Sequence, residues 1–390
     1  MVGWARGPTF FPVAHLHGAE DGAEAGAKDG DVVGNLTLSI DAMGGDTGPA
    51  AVLAAVAIAH RRHPNAKFLL HGDENILTPI LARQKTLAGC TEIRHAPDTV
   101  SMGEKPSQAL RRGRNTSMWH AIETLEKKEA SVAVSAGNTG ALLTMSVVRL
   151  GVADGIQRPA IAVLWPTIRG QSVVLDVGAN AGCEAEQLVD FAVMGEAFAR
   201  AIFGIERPTV GILNIGEEEM KGIEPVKRAA QILRASHLPI EFHGFVEGDD
   251  ISSGIVDVIV TDGFTGNVAL KTAEGTAKLV AHYLRSALTR SLFGRIGAVF
   301  ASGALRTLRR KMDPRSFNGG VFLGLNGVVV KSHGGADALG FASAVDLAID
   351  MAESDIVTRI SADRADVAPP THDCSADDST GATSARASLP

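Results

Sequence analysis

Asn138, Asn180, Asn214, Asn267, Thr139, Thr265, Lys221 and His333 share one setting: each stands in a short glycine-bearing turn that follows an apolar, β-branched run. The turns read DAMGGD (41 to 46), SAGNTGA (135 to 141), DVGANAG (176 to 182), NIGEEEMKG (214 to 222), TDGFTGN (261 to 267) and SHGGAD (332 to 337). Amide, hydroxyl and ammonium groups beside glycines can bind an anion and stabilise developing negative charge, because glycine lets backbone N–H groups approach closely. If the six runs are parallel strands of one open sheet, their ends converge on one edge, where helix N-termini aim free N–H groups into a crevice. One such turn is ordinary punctuation; six argue for an anion site.

The chemistry is narrowed by what is missing. No turn matches G-x-x-x-x-G-K-[ST], and none gives G-x-G-x-x-G with an acidic residue about 20 positions on, so neither a P-loop nor a dinucleotide fingerprint is present. There is no nucleophile elbow, and no His, Asp, Glu or Cys cluster has metal-ligand spacing, so neither a cofactor nor a metal is expected. The anion expected is a small phosphate or carboxylate, with no protein nucleophile.

The elements that must hold these turns alternate. NLTLSI, KFLLHG, ASVAVS, PAIAVLW, SVVLDV, PTVGILN, VDVIVTD and NGVVVKS are strand candidates separated by helical patterns, which predicts an α/β fold with helices on both faces of a mostly parallel sheet. Pro49 predicts a first helical turn, Asn138-Thr139 a second helix start, and Thr265 a third. A hairpin signal at Arg169-Gly170 predicts at least one antiparallel pair. Residues 1–34 and 363–390 are low in periodic pattern and are expected to be disordered extensions flanking one domain over 35–362.

The chain has 390 residues, 45% hydrophobic, ample for a large core, and a formal net charge of −7 that excludes general nucleic-acid binding. Its three cysteines, Cys90, Cys183 and Cys374, form no C-x-x-C pair, which fits a reducing compartment. No run approaches the ~18 apolar residues of a spanning helix, and no basic-then-apolar leader is seen, so a cytoplasmic protein is expected.

Together LSIDAMGGDTGP, VSAGNTGALL, LDVGANAGC, LNIGEEEMKG, VDVIVTDGFTGNVALKTAEG and GLNGVVVKSHGGAD resemble the phosphate acyltransferase (PlsX-type) family of bacterial phospholipid synthesis, from about Leu36 to about Ile360. The resemblance implies a three-layer α/β/α architecture like that of phosphotransacetylase and isocitrate dehydrogenase. It also implies transfer of a long fatty acyl group from acyl carrier protein to inorganic phosphate, giving acyl phosphate. The bound phosphate would be the nucleophile, in keeping with the missing side-chain nucleophile. Carried onto matching positions, it makes Lys221 and Asn267 the catalytic candidates.

For the phosphate cradle the expectation is Gly137, Asn138, Thr139 and Gly140, with Gly44, Gly45 and Asp46 opposite. Asn180, Asp262 and His333 complete the expected site, and Asp46 is expected to cap a helix or orient a lysine. Gly103 and Gly182 stand where the family commonly has an acidic residue, and Glu184-Ala185 where Lys-Pro is commoner. Two other classes compete: a non-catalytic carrier-protein or membrane-binding scaffold, and a small-acyl or nucleotide-using relative with the same sheet.

Residues 285 to 315 concentrate Arg285, Arg290, Arg295, Arg306, Arg309, Arg310, Lys311 and Arg315 against the single acid Asp313. Leu292, Phe293, Ile296, Val299 and Phe300 interleave at helical spacing, which suits a helical pair lying on an anionic membrane. Phe293, Ile296, Phe300, Arg306, Arg309 and Arg310 are the expected membrane-facing residues; the competing reading is a dimer interface. The resemblance implies a peripheral membrane homodimer, and a membrane glycerol-3-phosphate acyltransferase as the next partner.

Overall fold

The computed structural model describes residues 36–311, 313, 315, 318–365 and 367. The expected N-terminal extension lies outside the described residues, as does nearly all of the C-terminal one.

The strands are β1 (Thr37–Asp41), β2 (Lys67–Gly72), β3 (Thr91–His95), β4 (Val132–Ser135), β5 (Ala160–Thr167), β6 (Gly170–Leu175), β7 (Thr209–Leu213), β8 (Glu241–Val246), β9 (Val258–Val260), β10 (Gly320–Leu323) and β11 (Val328–Lys331). The helices are α1 (Pro49–Arg62), α2 (Glu74–Leu81), α3 (Pro106–Arg112), α4 (Ser117–Glu126), α5 (Thr139–Leu150), α6 (Ala185–Phe203), α7 (Glu224–Ala235), α8 (Asp250–Ser253), α9 (Gly263–Thr289), α10 (Leu292–Phe300), α11 (Ser302–Lys311), α12 (Ala338–Glu353) and α13 (Ile356–Ala365). All eight strand candidates form strands. β3, β8 and β10 were not among them.

One sheet runs β3-β2-β1-β4-β11-β10-β5-β6-β9-β7-β8. Its interior strands alternate between two cores. Val328 and Val330 face the core that α1, α6, α7 and α12 cover, whereas Val329 faces the core of α4, α5 and the base of α9. Side chains of successive strand residues point to opposite faces, so each strand divides its apolar residues between the two cores. The result is the expected three-layer α/β/α arrangement.

Strand direction corrects the expectation that all six turns share one edge. β10 is antiparallel to both β11 and β5, and β5 is antiparallel to β6 across the Arg169-Gly170 hairpin. Three reversals leave β6, β9, β7 and β8 running opposite to β1, β4 and β11. The turns after β1, β4 and β11 therefore lie at one edge of the sheet, and those after β6, β9 and β7 at the other.

Two boundaries also move. α9 begins at Gly263 rather than after Thr265, because the Asp262 carboxylate accepts hydrogen bonds from Phe264 N and Thr265 N. The domain end expected at 362 falls inside α13, where Arg364 pairs with Asp190 of α6 at 2.6 Å.

Candidate active site

At the first edge, Asp41, Ser135 and Lys331 form a row across three adjacent parallel strands, with Asp41 beside Ser135 and Ser135 beside Lys331 in register. The alternation that sends Val329 toward α9 sends Lys331 the same way. Ser135 Oγ donates to Asp41 Oδ2 at 2.6 Å and accepts from Gly137 N at 3.0 Å. Burial raises the Asp41 carboxyl above its ordinary range, opposed by hydrogen bonds from Ser117, Ser135, Met43 and Gly44. The Lys331 ammonium donates to Ala136 O and Ser332 O. Burial brings it down to about 8, with Asp41 and Asp46 opposing and Lys271 adding to the fall.

The expected cradle is packed more tightly than an open phosphate loop. A Cβ on Gly44 would stand 2.6 Å from Asp41 Oδ2 and 2.7 Å from Gly137 N, and one on Gly45 2.9 Å from Gly334 O. These glycines let the β1, β4 and β11 turns close on one another. Asp46 N donates to Gly334 O at 2.7 Å, and its carboxylate attracts Lys331 across space.

Asn138 is consumed locally. Its Oδ1 caps α5 through Ala141 N, and its Nδ2 donates to Met102 O at 2.8 Å and Glu104 O at 2.9 Å. It clamps the 101–104 loop over this edge, with half-buried Thr139 and Gly140 beside it. His333 Nδ1 accepts from Gly335 N at 3.1 Å, which places the proton of the neutral ring on Nε2. Burial lowers the His333 pKa, Lys271, Lys331 and Lys278 lower it further, and Glu274 opposes them.

At the second edge Asp176 is the hub. Its carboxylate accepts from Ile161 N, Gly178 N, Ala179 N, Asn180 N and Asn180 Nδ2, and its pKa is nonetheless raised by burial. Asn180 also donates to Pro159 O at 2.9 Å, so its amide holds the turn. Asp262 likewise serves as a helix cap.

Asn267 is exposed on α9, and a Cβ on Gly178 would stand 3.8 Å from its side chain. Lys221 is exposed in the loop after β7 and pairs with Glu218 at 2.8 Å, which raises its pKa. Because β7 and β9 are parallel neighbours, the loops bearing Lys221 and Asn267 leave the sheet side by side. Cys183 lies nearby, and burial, Asp176 and Asp262 push its thiol up to about 12. A thiol so protonated is a poor nucleophile.

α9 joins the two edges. Asn267, Lys271, Glu274 and Lys278 fall at i, i+4, i+7 and i+11, one face of the helix. Lys271, Glu274 and Lys278 all act on His333, while Asn267 stands over Gly178. One helical stripe thus runs from the β6 turn into the electrostatic neighbourhood of the β11 turn.

Beyond Thr289, Phe293 and Phe300 are 85% and 88% exposed, and Ile296 is 46% exposed. Arg306 is exposed on α11; the side chains of Arg309 and Arg310 lie outside the described residues. Arg315, counted with the basic stretch, is paired with Asp313 and Asp337. No described helix is long and apolar enough to cross a membrane, and no group of three or more His, Cys, Asp or Glu among the described residues could hold a metal.

The phosphotransacetylase from Streptococcus pyogenes superposes with a TM-score of 0.56 at 16% identity, covering 82% of this chain and 94% of that one. The branched-chain phosphotransacylase from Enterococcus faecalis V583 gives 0.51 at 14% identity, covering 82% and 99%. Both show the shared fold. The phosphate acyltransferase of Parvibaculum lavamentivorans is 58% identical over 84% of this chain and 91% of its own length. That of Rhizobium meliloti is 56% identical over 85% and 96%. The family described as "Fatty acid synthesis protein" matches residues 36–359, and to that family this chain belongs.

Proposed function

We propose that the chain transfers a long-chain fatty acyl group from the thioester of acyl carrier protein to inorganic phosphate, releasing acyl phosphate for phospholipid synthesis. The observation that carries this reading is the α9 stripe, which sets Asn267 one helical turn from Lys271, the cation that acts most strongly on His333. A phosphate oxygen attacks the thioester carbonyl, a C–O bond forms, and the carbonyl oxygen becomes an oxyanion. Asn267 and Lys221 donate to that oxyanion; one such donor contributes about 10²- to 10³-fold in rate. Collapse breaks the C–S bond, and the departing thiolate takes up a proton. The high thiol pKa of Cys183 supports phosphate, rather than the protein, as nucleophile.

The exposed apolar tip of α10 favours delivery of the insoluble product at an anionic membrane surface, where a glycerol-3-phosphate acyltransferase would consume it. Exposed Leu279, Val280, Tyr283 and Leu284 on α9 favour a second copy of the chain as partner. This reading gives a cytoplasmic, peripherally membrane-associated homodimer.

The deciding experiment incubates the purified protein and Lys221→Ala with palmitoyl-acyl carrier protein and radiolabelled inorganic phosphate. Hydroxylamine-sensitive acyl phosphate is expected from the wild type, falling at least about tenfold in the variant. Carrier-protein binding without label would replace the enzyme with a non-catalytic scaffold.

A further inference from the structure

The buried ammonium of Lys331 is the least explained charge at the first edge. Only 9% of the residue is exposed, at the end of an otherwise apolar strand. A lysine carries three N–H donors, and two carbonyl oxygens, Ala136 O and Ser332 O, receive hydrogen bonds from this one. Asp41 and Asp46 attract it across space, without an ion pair among the described contacts. A buried charge held mainly by neutral carbonyls is costly unless a counter-ion completes it.

What faces it has the character of an anion seat. Lys271 acts on both Lys331 and His333, and Lys278 acts on His333. His333 has its Nδ1 engaged by Gly335 N, which leaves Nε2–H as a donor. Glu274 opposes the cations and pairs with Lys271 at 3.0 Å, so each offsets part of the other's charge and an arriving anion competes with Glu274 for Lys271.

We propose that Lys331, with His333 and Lys271 facing it from the β11 turn and α9, is the seat of the phosphate oxyanion that accepts the acyl group. Lys331 supplies fixed charge from the sheet, held in place by the Asp41–Ser135 row and the carbonyls of Ala136 and Ser332. His333 supplies a neutral donor, and Lys271 closes the seat from the helix that carries Asn267. From Asn267 to Lys271 is four residues, about 6 Å of helix rise, so a phosphate seated here lies within reach of a carbonyl held at Asn267. The assignment rests on the acyl-transfer reading for the identity of the anion. The same groups could instead take the phosphodiester of the carrier's prosthetic arm.

The test has two arms on the full chain. In the first, inorganic phosphate at constant ionic strength is titrated against thermal unfolding of the wild type, Lys331→Met, Lys271→Gln and His333→Gln, with potassium chloride as control. The wild type is expected to gain thermal stability with phosphate, Lys331→Met to lose that gain, and the other two to need at least threefold more phosphate. In the second arm, KM is measured separately for phosphate and for palmitoyl-acyl carrier protein. The expected result for Lys331→Met is a phosphate KM raised at least tenfold, with the donor KM within twofold.

A raised donor KM with an unchanged phosphate KM would assign the seat to the phosphodiester and overturn the proposal. Equal phosphate response in all four proteins would also overturn it. If Lys331→Met does not fold, the two α9-side and turn variants decide the matter by the same phosphate KM. Phosphate protection without turnover in the wild type would leave the seat standing and remove the acyl-transfer reading.

Discussion

Glu196 and Asp363 bring two carboxyl groups together where the last helix packs on α6, and this contact sets a pH dependence of stability. The Glu196 side chain is wholly buried; its Oε1 accepts from Arg200 Nη1 at 3.0 Å, while Oε2 has no hydrogen-bond partner. Asp363 Oδ2 is also buried without a hydrogen bond, 3.5 Å from Arg200 Nη1. Two acceptors face each other, and a proton on one of them satisfies both. Burial first, and then the charge of Asp363, push Glu196 from 4.5 up to about 7, with Arg200 opposing.

A carboxyl whose pKa is raised on folding stabilises the fold while it is protonated. That contribution is whole below about pH 4.5, declines as pH rises toward 7, and is gone above it. From 4.5 to about 7, at about 1.4 kcal/mol per pH unit, the wild type gives up roughly 3 kcal/mol. Glu196→Gln keeps an acceptor for Arg200 and adds an N–H donor for Asp363, a permanent copy of the protonated state. Urea unfolding of both proteins from pH 5 to 8 should show the variant gaining on the wild type by roughly 2–3 kcal/mol across the range. Other raised carboxyls, Asp41, Asp176 and Asp190, cancel in the difference. A difference that stays constant to within about 0.5 kcal/mol refutes the shared proton.

Asn138→Ala removes a helix cap and the donor that holds Met102 O and Glu104 O, so it should cost roughly 2 kcal/mol in urea unfolding and open the 101–104 loop to protease; a loss under about 0.5 kcal/mol contradicts the clamp. Replacing Phe293, Ile296 and Phe300 together with Ser should weaken binding to anionic liposomes at least about tenfold, since inserting each apolar side chain contributes on the order of 1 kcal/mol; full retention in the folded variant refutes membrane docking through α10.

Local chemistry was legible wherever it depended on short-range rules. Proline at the start of α1, Asn138 at the α5 cap and the Arg169-Gly170 hairpin each follow from a few adjacent residues. β3 and β8 escaped because they are the two outermost strands of the sheet, and TEIRH and EFHGFV mix polar with apolar residues. β10 is only GVFL between glycines, too short to show a period. Lys331 did have a signal. A lysine closing the run GVVV is out of character for a strand buried on both faces, and such an exception singles the position out as a candidate for function.

The direction of the second half of the sheet could not be read locally, because β10 reaches its place between β11 and β5 from about 160 residues downstream of β5. Its insertion and the hairpin turn β6, β9 and β7 the opposite way, which separates Lys221 and Asn267 from the Asp41–Ser135–Lys331 row. A shared edge would have brought all six turns together with short helices. Opposed edges require an element that crosses between them, and the first turns of α9 do so, because the strands are short and Lys331 stands in register with Gly320, Val163 and Val174, close to the end of β6. The first half of α9 carries Asn267 and Lys271 across the crevice, and its second half leads to α10 and the apolar tip. On the proposed reading the first turns of α9 serve the site and its later turns lead to the surface, so a deletion after Lys278 is expected to weaken liposome binding while leaving the phosphate response intact.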